Sequence, residues 1–217
     1  MPDWTEFYQQ GGSIMHAILA VAAIGFALVL ERFWRLWVGQ RVDVRRLMAL
    51  VQGRILAGDT TAALRLVPES RSYIRRVVRA GLMAGVASHR AEAAVHEERL
   101  LVEPQLTRWL PTLSSLASLA MLIGLLGTIF GMIGGFQCSM ANVTVAQRSA
   151  ALSMQIAIAI HTTGFGILVG VGLLSARLFL QIRADSLARD VALCGARVVN
   201  LVRVAVEPVP LPSSPYR

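Results

Sequence analysis

Three stretches of this chain are apolar at nearly every position and lack the polar side of an ordinary surface helix. They cover residues 14–30 (running on towards 37), 113–136 and 150–173. About 20 apolar residues carry a helix across the hydrocarbon core, so each stretch predicts a membrane span. Between the first two spans the pattern changes. Val44, Leu47, Leu50 and Val51, and later Ile74, Val77 and Val78, recur at helical spacing with polar residues between them. Gly58-Asp59-Thr60 has the residues to end one helix and cap the next, and Pro68 marks another break. Residues 88–101 read as a polar helix running on towards the second span. The third span continues as an amphipathic helix to about residue 206. Residues 207–217 contain four prolines and read as a loose tail.

The expected architecture is therefore an all-α membrane protein with three transmembrane helices and long helical extensions. Its segments are an N-terminal stretch 1–13, spans at 14–37, 109–137 and 150–176, a helical domain at 38–108, a short loop at 138–149, a helix at 177–206 and the tail.

Charge sharpens this picture. No Asp, Glu, Lys or Arg occurs from Trp109 to Gln147 or from Ser149 to Ala176, runs of 39 and 28 residues. Charged residues are 16% of the chain against about 25% in soluble domains. That excludes a soluble enzyme, a disordered chain and a disulfide scaffold. All 21 basic residues are Arg, and the net charge is +8. They flank the spans, which fits a membrane protein rather than a nucleic-acid binder. Residues 31–108 hold 14 Arg, the tail after Ala176 holds six, the 137–149 loop holds Arg148 alone, and residues 1–13 hold none. The positive-inside rule places the N-terminus and short loop outside, and the 38–108 domain and tail in the cytoplasm. Trp34, Trp37 and Trp109 fall at the expected inner interface. Cys138 and Cys194 then lie on opposite sides and do not pair. Arg75, Arg76 and Arg79 read as a solvated cytoplasmic face, with a docking surface for a partner as the lesser alternative.

The second and third spans repeat one spacing. Gly124, Thr128, Gly131 and Gly135 share a helical face; so do Ala159, Thr163, Gly166 and Gly170. Both faces read small-x-x-x-Thr-x-x-Gly-x-x-x-Gly. The two helices run antiparallel, and at ~1.5 Å rise per residue both threonines lie ~15–20 Å below the outer surface. Small residues let transmembrane backbones approach, so close packing accounts for the glycines. The hydroxyls at one depth also fit a polar ring lining an ion path. No carboxylate lies in the apolar stretches 14–30, 113–136 and 150–173. His161 falls ~160° from the Thr163 face, taking ~100° per residue, and reads as a contact residue with a secondary claim as proton carrier. His16 reads as interfacial. There is no nucleophile–base set, metal-ligand spacing or phosphate loop, so no enzyme activity is expected.

Residues Gly124-Leu-Leu-Gly-Thr128-Ile-Phe-Gly-Met132-Ile with Phe136, and Ala159-Ile-His-Thr-Thr163-Gly-Phe-Gly166-Ile, resemble the MotA/TolQ/ExbB proton-channel family, in particular its three-span TolQ/ExbB branch. Glu31-Arg32 adds a weaker match. The chain departs from the family pattern at Met121 and at Val171-Gly172, where prolines are usual, and at His161.

The resemblance implies a homopentamer of the bacterial inner membrane whose second and third spans line a central pore. It implies two copies of an ExbD-, TolR- or MotB-like partner with one span and an intramembrane Asp. Proton binding to that Asp would drive rotation of the pentamer relative to the partner and so work on the cell envelope: transport, envelope maintenance or motility. Thr128, Thr163 and Thr162 would contact that Asp. Gly124, Gly131, Gly135, Ala159, Gly166 and Gly170 would serve pore lining and packing. No cofactor is implied beyond the coupling proton, with lipid a candidate occupant of the pore. The alternative is a non-conducting membrane scaffold that binds a single-span partner.

Overall fold

The computed structural model describes residues 12–37, 43–70, 72–85, 88–139 and 144–206. Nearly all of the expected outer N-terminus, part of the short loop, the Cys138 side chain and the proline-bearing tail lie outside them. The described residues form seven helices and no strand. They are α1 (Ile14–Trp37), α2 (Val44–Leu56), α3 (Thr60–Leu66), α4 (Tyr73–Met83), α5 (Ser88–Thr107), α6 (Leu110–Ser139) and α7 (Val145–Val206). Three helical stretches are long and apolar enough to cross a membrane, residing in α1, α6 and α7.

The chain divides into two units. The first holds α1 to Arg32, α6, and α7 to Leu180. Its core is a seam between α6 and α7. On α6 the buried positions are Leu113, Ala117, Ala120, Gly124, Gly127, Gly131 and Gly135. On α7 they are Ala159, Thr162, Gly166, Gly170 and Leu173. Steps of three and four are the spacing of a left-handed, shallow-angle helix pair. Contacts run antiparallel. Gly170 faces Met121, Gly124 faces Thr162 and Gly166, and Gly131 faces Ala159. Helix α1 joins through Met15 and Ile18, which are fully buried, and through Gly25, packed against the Leu173 side chain. The rest of α6 is an apolar face that the described residues leave uncovered: Leu122, Leu125, Ile129, Phe130, Ile133 and Phe136 are all exposed. In water each would be costly; against lipid or another apolar helix it is not.

The second unit holds α1 from Phe33, α2 to α5, and α7 from Gln181. Its helix starts are well defined. Asp43 caps α2 by accepting from the Arg46 N–H, and Asp59 caps α3 by accepting from Ala62 at 2.8 Å. Gly58 has φ +77°, the left-handed turn that lets α2 stop and α3 begin. The core interleaves Ile74, Val77, Val78 and Leu82 of α4, Val95 and Val102 of α5, and Val191, Cys194, Val198 and Val202 of α7. Val95 sits between two glycines: a Cβ added at Gly81 or at Gly195 would approach a Val95 methyl to 2.8 Å. Phe33 and Trp37 stack at 4.8 Å, and the Arg183 guanidinium lies 5.6 Å from the Trp37 ring centre, a cation–π geometry.

The polar helix of 88–101 runs to Thr107 and carries Pro104 internally. It does not pass smoothly into the second span. Trp109 has φ 72°, a conformation bulky residues rarely adopt, and its carbonyl accepts from the Leu113 N–H to start α6. Such a backbone state costs on the order of 1–3 kcal/mol, so the local fold over-determines this break.

Candidate functional site

The shared spacing puts Thr128 and Thr163 at one depth on small-residue faces, as a polar ring would require. The buried seam between α6 and α7 passes one residue away on each helix, through Gly127 and Thr162. Thr162, fully buried, faces Gly127. Thr128 and Thr163 flank that contact and are half-buried. The threonine faces also alternate fours and threes, so the period alone does not choose between neighbouring residues; the choice follows from Gly127, whose missing side chain leaves the space that Thr162 fills. The threonine spacing does not single out Gly127 as a seam position. Its signal was legible in the run Ala117, Ala120, Gly124, Gly127, Gly131, small residues at steps of three, four, three and four.

The three hydroxyls have different partners. Thr163 Oγ1 donates across the pair to the Gly124 carbonyl at 2.9 Å. Thr128 Oγ1 donates to Leu125 O of its own helix at 2.6 Å. Thr162 Oγ1 lies 3.1 Å from Ile158 O and 3.0 Å from Ala159 O, a shared bond within α7. Each hydroxyl's single proton is thus committed to a main-chain carbonyl, while its oxygen keeps acceptor capacity. Thr128 and Thr163 retain accessible surface on which to use it. Thr162 has none within the chain.

The expected small residues fall into the seam as a group. A Cβ on Gly166 would lie 2.7 Å from Ala120 O, and one on Gly131 would lie 2.8 Å from the Ala159 methyl. Gly170 admits the Met121 side chain. Met121, which stands where the family usually has proline, so fills space that the glycine leaves. Gly124 and Gly135 are buried on the same stripe, Gly135 against Leu152. His161 is half-buried beside Thr162. It flanks the seam on the side opposite Thr163. Arg32, towards the C-terminal end of α1, is 1% exposed, while its neighbour Glu31 is exposed.

One recess of about 140 Å³ opens beside this seam. Ser13, Ile14, Phe130, Gln155 and Ile158 line it, and it reaches Gly127 and Gly131. Gln155 is its one amide, packed against Gly134. Several waters fit such a volume, taking ~30 Å³ each. Nothing in the spacing of the threonine faces pointed to Gln155, because it lies towards the start of α7, beyond the shared spacing. Among the described residues no group of three or more His, Cys, Asp or Glu is placed to hold a metal ion.

Comparison with known proteins agrees with this arrangement. Residues 69–192 match the model of the MotA/TolQ/ExbB proton channel family, a stretch that contains both threonine motifs and most of the helical domain. A biopolymer transport protein ExbB homolog from Methanothermobacter thermautotrophicus is 26% identical over 181 residues, which are 83% of this chain and 63% of that protein. The chain thus spans less than two thirds of the length of that relative. With the matched region covering more than half of the sequence and holding the α6–α7 pair, the chain belongs to the MotA/TolQ/ExbB proton channel family.

Proposed function

We propose that this chain is the channel-forming, stator-like subunit of an ion-driven membrane motor. It assembles as a pentamer in the bacterial inner membrane around two copies of a single-span partner that brings an intramembrane Asp. The N-terminus lies in the periplasm and the second unit in the cytoplasm, as the Arg distribution favours. Proton passage through the Asp drives relative rotation and work on the envelope. Family membership supports the class.

One observation carries the mechanism: the second and third spans contain hydroxyls beside the helix seam but no carboxylate. A proton carrier needs a group that binds and releases protons near neutrality, which Ser and Thr do not. A buried carboxylate does, because desolvation raises its pKa from ~4 towards neutral. Thr128 and Thr163, whose hydroxyls keep exposed surface, are the residues that would meet it. Thr162 packs against Gly127 behind them. The uncovered apolar face of α6 supports lateral contact with lipid or further copies.

A second reading, a non-conducting scaffold, is favoured by the commitment of all three hydroxyl protons to main-chain carbonyls. Reconstitution separates the two. The chain alone in proton-loaded liposomes should leak little. With the single-span partner it should conduct, and Asp→Asn in the partner should stop the flow. His161→Ala should leave partner-dependent conduction intact. A tight membrane with the partner bound establishes the scaffold, and conduction by the chain alone that His161→Ala abolishes makes His161 the carrier.

A further inference from the structure

Arg75, Arg76 and Arg79 read in the sequence as a solvated face. In the second unit none of them is fully exposed; all three are half-buried around one cleft of about 290 Å³. We propose that this cleft is a binding site for a phosphate group, carried either by an anionic lipid headgroup or by a free phosphate.

The charges favour an anion. Three guanidinium groups within one and a half turns of α4 repel one another, as like charges at i,i+3 and i,i+4 do. Two carboxylates line the cleft with them, Glu69 and Glu98. Glu98 is taken by Arg76 at 2.6 Å. Glu69 is exposed, where its charge is well screened. Arg79 uses one donor on Val67 O at 3.1 Å, which holds the preceding loop against α4. Arg75 is different. Its Nε is buried and makes no hydrogen bond among the described residues. A buried donor left unmade costs about 1–3 kcal/mol, so the Nε of Arg75 carries a cost that no hydrogen bond among the described residues recovers.

The remaining wall supplies matching chemistry. Ser70 Oγ accepts from the Ser72 N–H at 3.3 Å, which leaves its own proton to donate into the cleft. Guanidinium forks bind phosphate oxygens in bidentate pairs, with charge-assisted bonds about twice as strong as neutral ones. The cleft holds several times the ~30 Å³ of one water and is open on one side, as a headgroup or a free phosphate requires.

The test uses the full chain in phosphatidylcholine nanodiscs. One arm titrates inorganic phosphate against chloride at matched ionic strength and follows Tm. The other replaces part of the lipid by phosphatidylglycerol with no phosphate in the buffer. A saturable rise in Tm in either arm is expected, and which arm responds identifies the source. Arg75→Gln should weaken the response at least about ten-fold, and Arg75→Lys, which keeps charge but not the fork, should weaken it less. Arg54→Gln, an exposed arginine of α2, should leave it unchanged. If Arg75→Gln fails to fold, the Arg75→Lys and Arg54→Gln comparison decides. No saturable response in either arm, or equal weakening by the Arg75 and Arg54 variants, overturns the proposal.

Discussion

Gly127 and Thr162 share a space that holds only one side chain: a Cβ on Gly127 would fall onto Thr162 Oγ1 and lie 2.6 Å from its Cβ. This contact lies in the buried seam of the two motif helices, next to the backbone approach of Gly124 and Gly166. It places the half-buried threonines, 128 and 163, on its flanks. The seam and the candidate ion-contact residues are therefore set by one pair, and a change at that pair moves both.

Gly127→Ala should destabilise the helix pair by about 1–3 kcal/mol, the usual cost of overpacking. Thr162→Gly in the same chain should recover much of that loss, since it removes every atom the new methyl meets. Thermal unfolding in detergent measures both. Equal stability of the wild type and Gly127→Ala would show that the helices part easily here.

Thr163→Val and Thr128→Val keep side-chain volume and remove the hydroxyl. Only Thr163 bonds across to the other helix. Its replacement should cost roughly 0.6 kcal/mol, up to ~1.7, the range for such bonds within membranes. Thr128→Val should cost less, because its bond stays within α6. Partner-dependent proton flux should fall sharply in both variants. Flux that falls only in step with stability would make the hydroxyls packing groups.

Val95 packs against both Gly81 and Gly195. Gly195→Ala should therefore destabilise the second unit despite alanine's better helix propensity of about 1 kcal/mol. Val95→Ala should offset part of the clash while adding a cavity. Hydrogen exchange of α4 and α5 amides reports this unit separately from the spans. Faster exchange in Gly195→Ala, partly restored in the double variant, is the expected result.

Cys194 is buried, and its thiol is pushed up from 9.0 to about 11, chiefly by desolvation, with Asp190 raising it and Arg197 opposing. The thiolate is the reactive form, so a maleimide near pH 7.5 should leave Cys194 unlabelled in permeabilised membranes until the chain is denatured. The linkage sign is also fixed. The folded state favours the protonated thiol, so stability is unaffected below about pH 9 and falls as pH rises from there through about 11. A failure to label Cys194 from outside thus says nothing of orientation. A cysteine placed at exposed Arg54 does: an impermeant thiol reagent should reach it only after permeabilisation.

The amino-acid order alone determined the membrane class, the three spans and the all-helical character. Uninterrupted apolar runs and uncharged stretches of 39 and 28 residues permit nothing else, because each backbone amide in lipid must bond within its own helix. The small-residue content of the second and third spans was equally legible, as was the turn at Gly58-Asp59. Which residue stands at the centre of the seam was not. Thr162 and Thr163 are adjacent in sequence and differ by ~100° on the helix; both fit a 3.5-residue period, and only the packing of Thr162 into the space left by Gly127 selects it. The break at Trp109 left no mark in the pattern, because its left-handed backbone contradicts local preference and is imposed by the surroundings. The arginines of α4 show the same limit. Composition reads them as surface, whereas the loop at Val67 and helix α5 partly enclose them, and enclosure is a property of the chain's path in three dimensions.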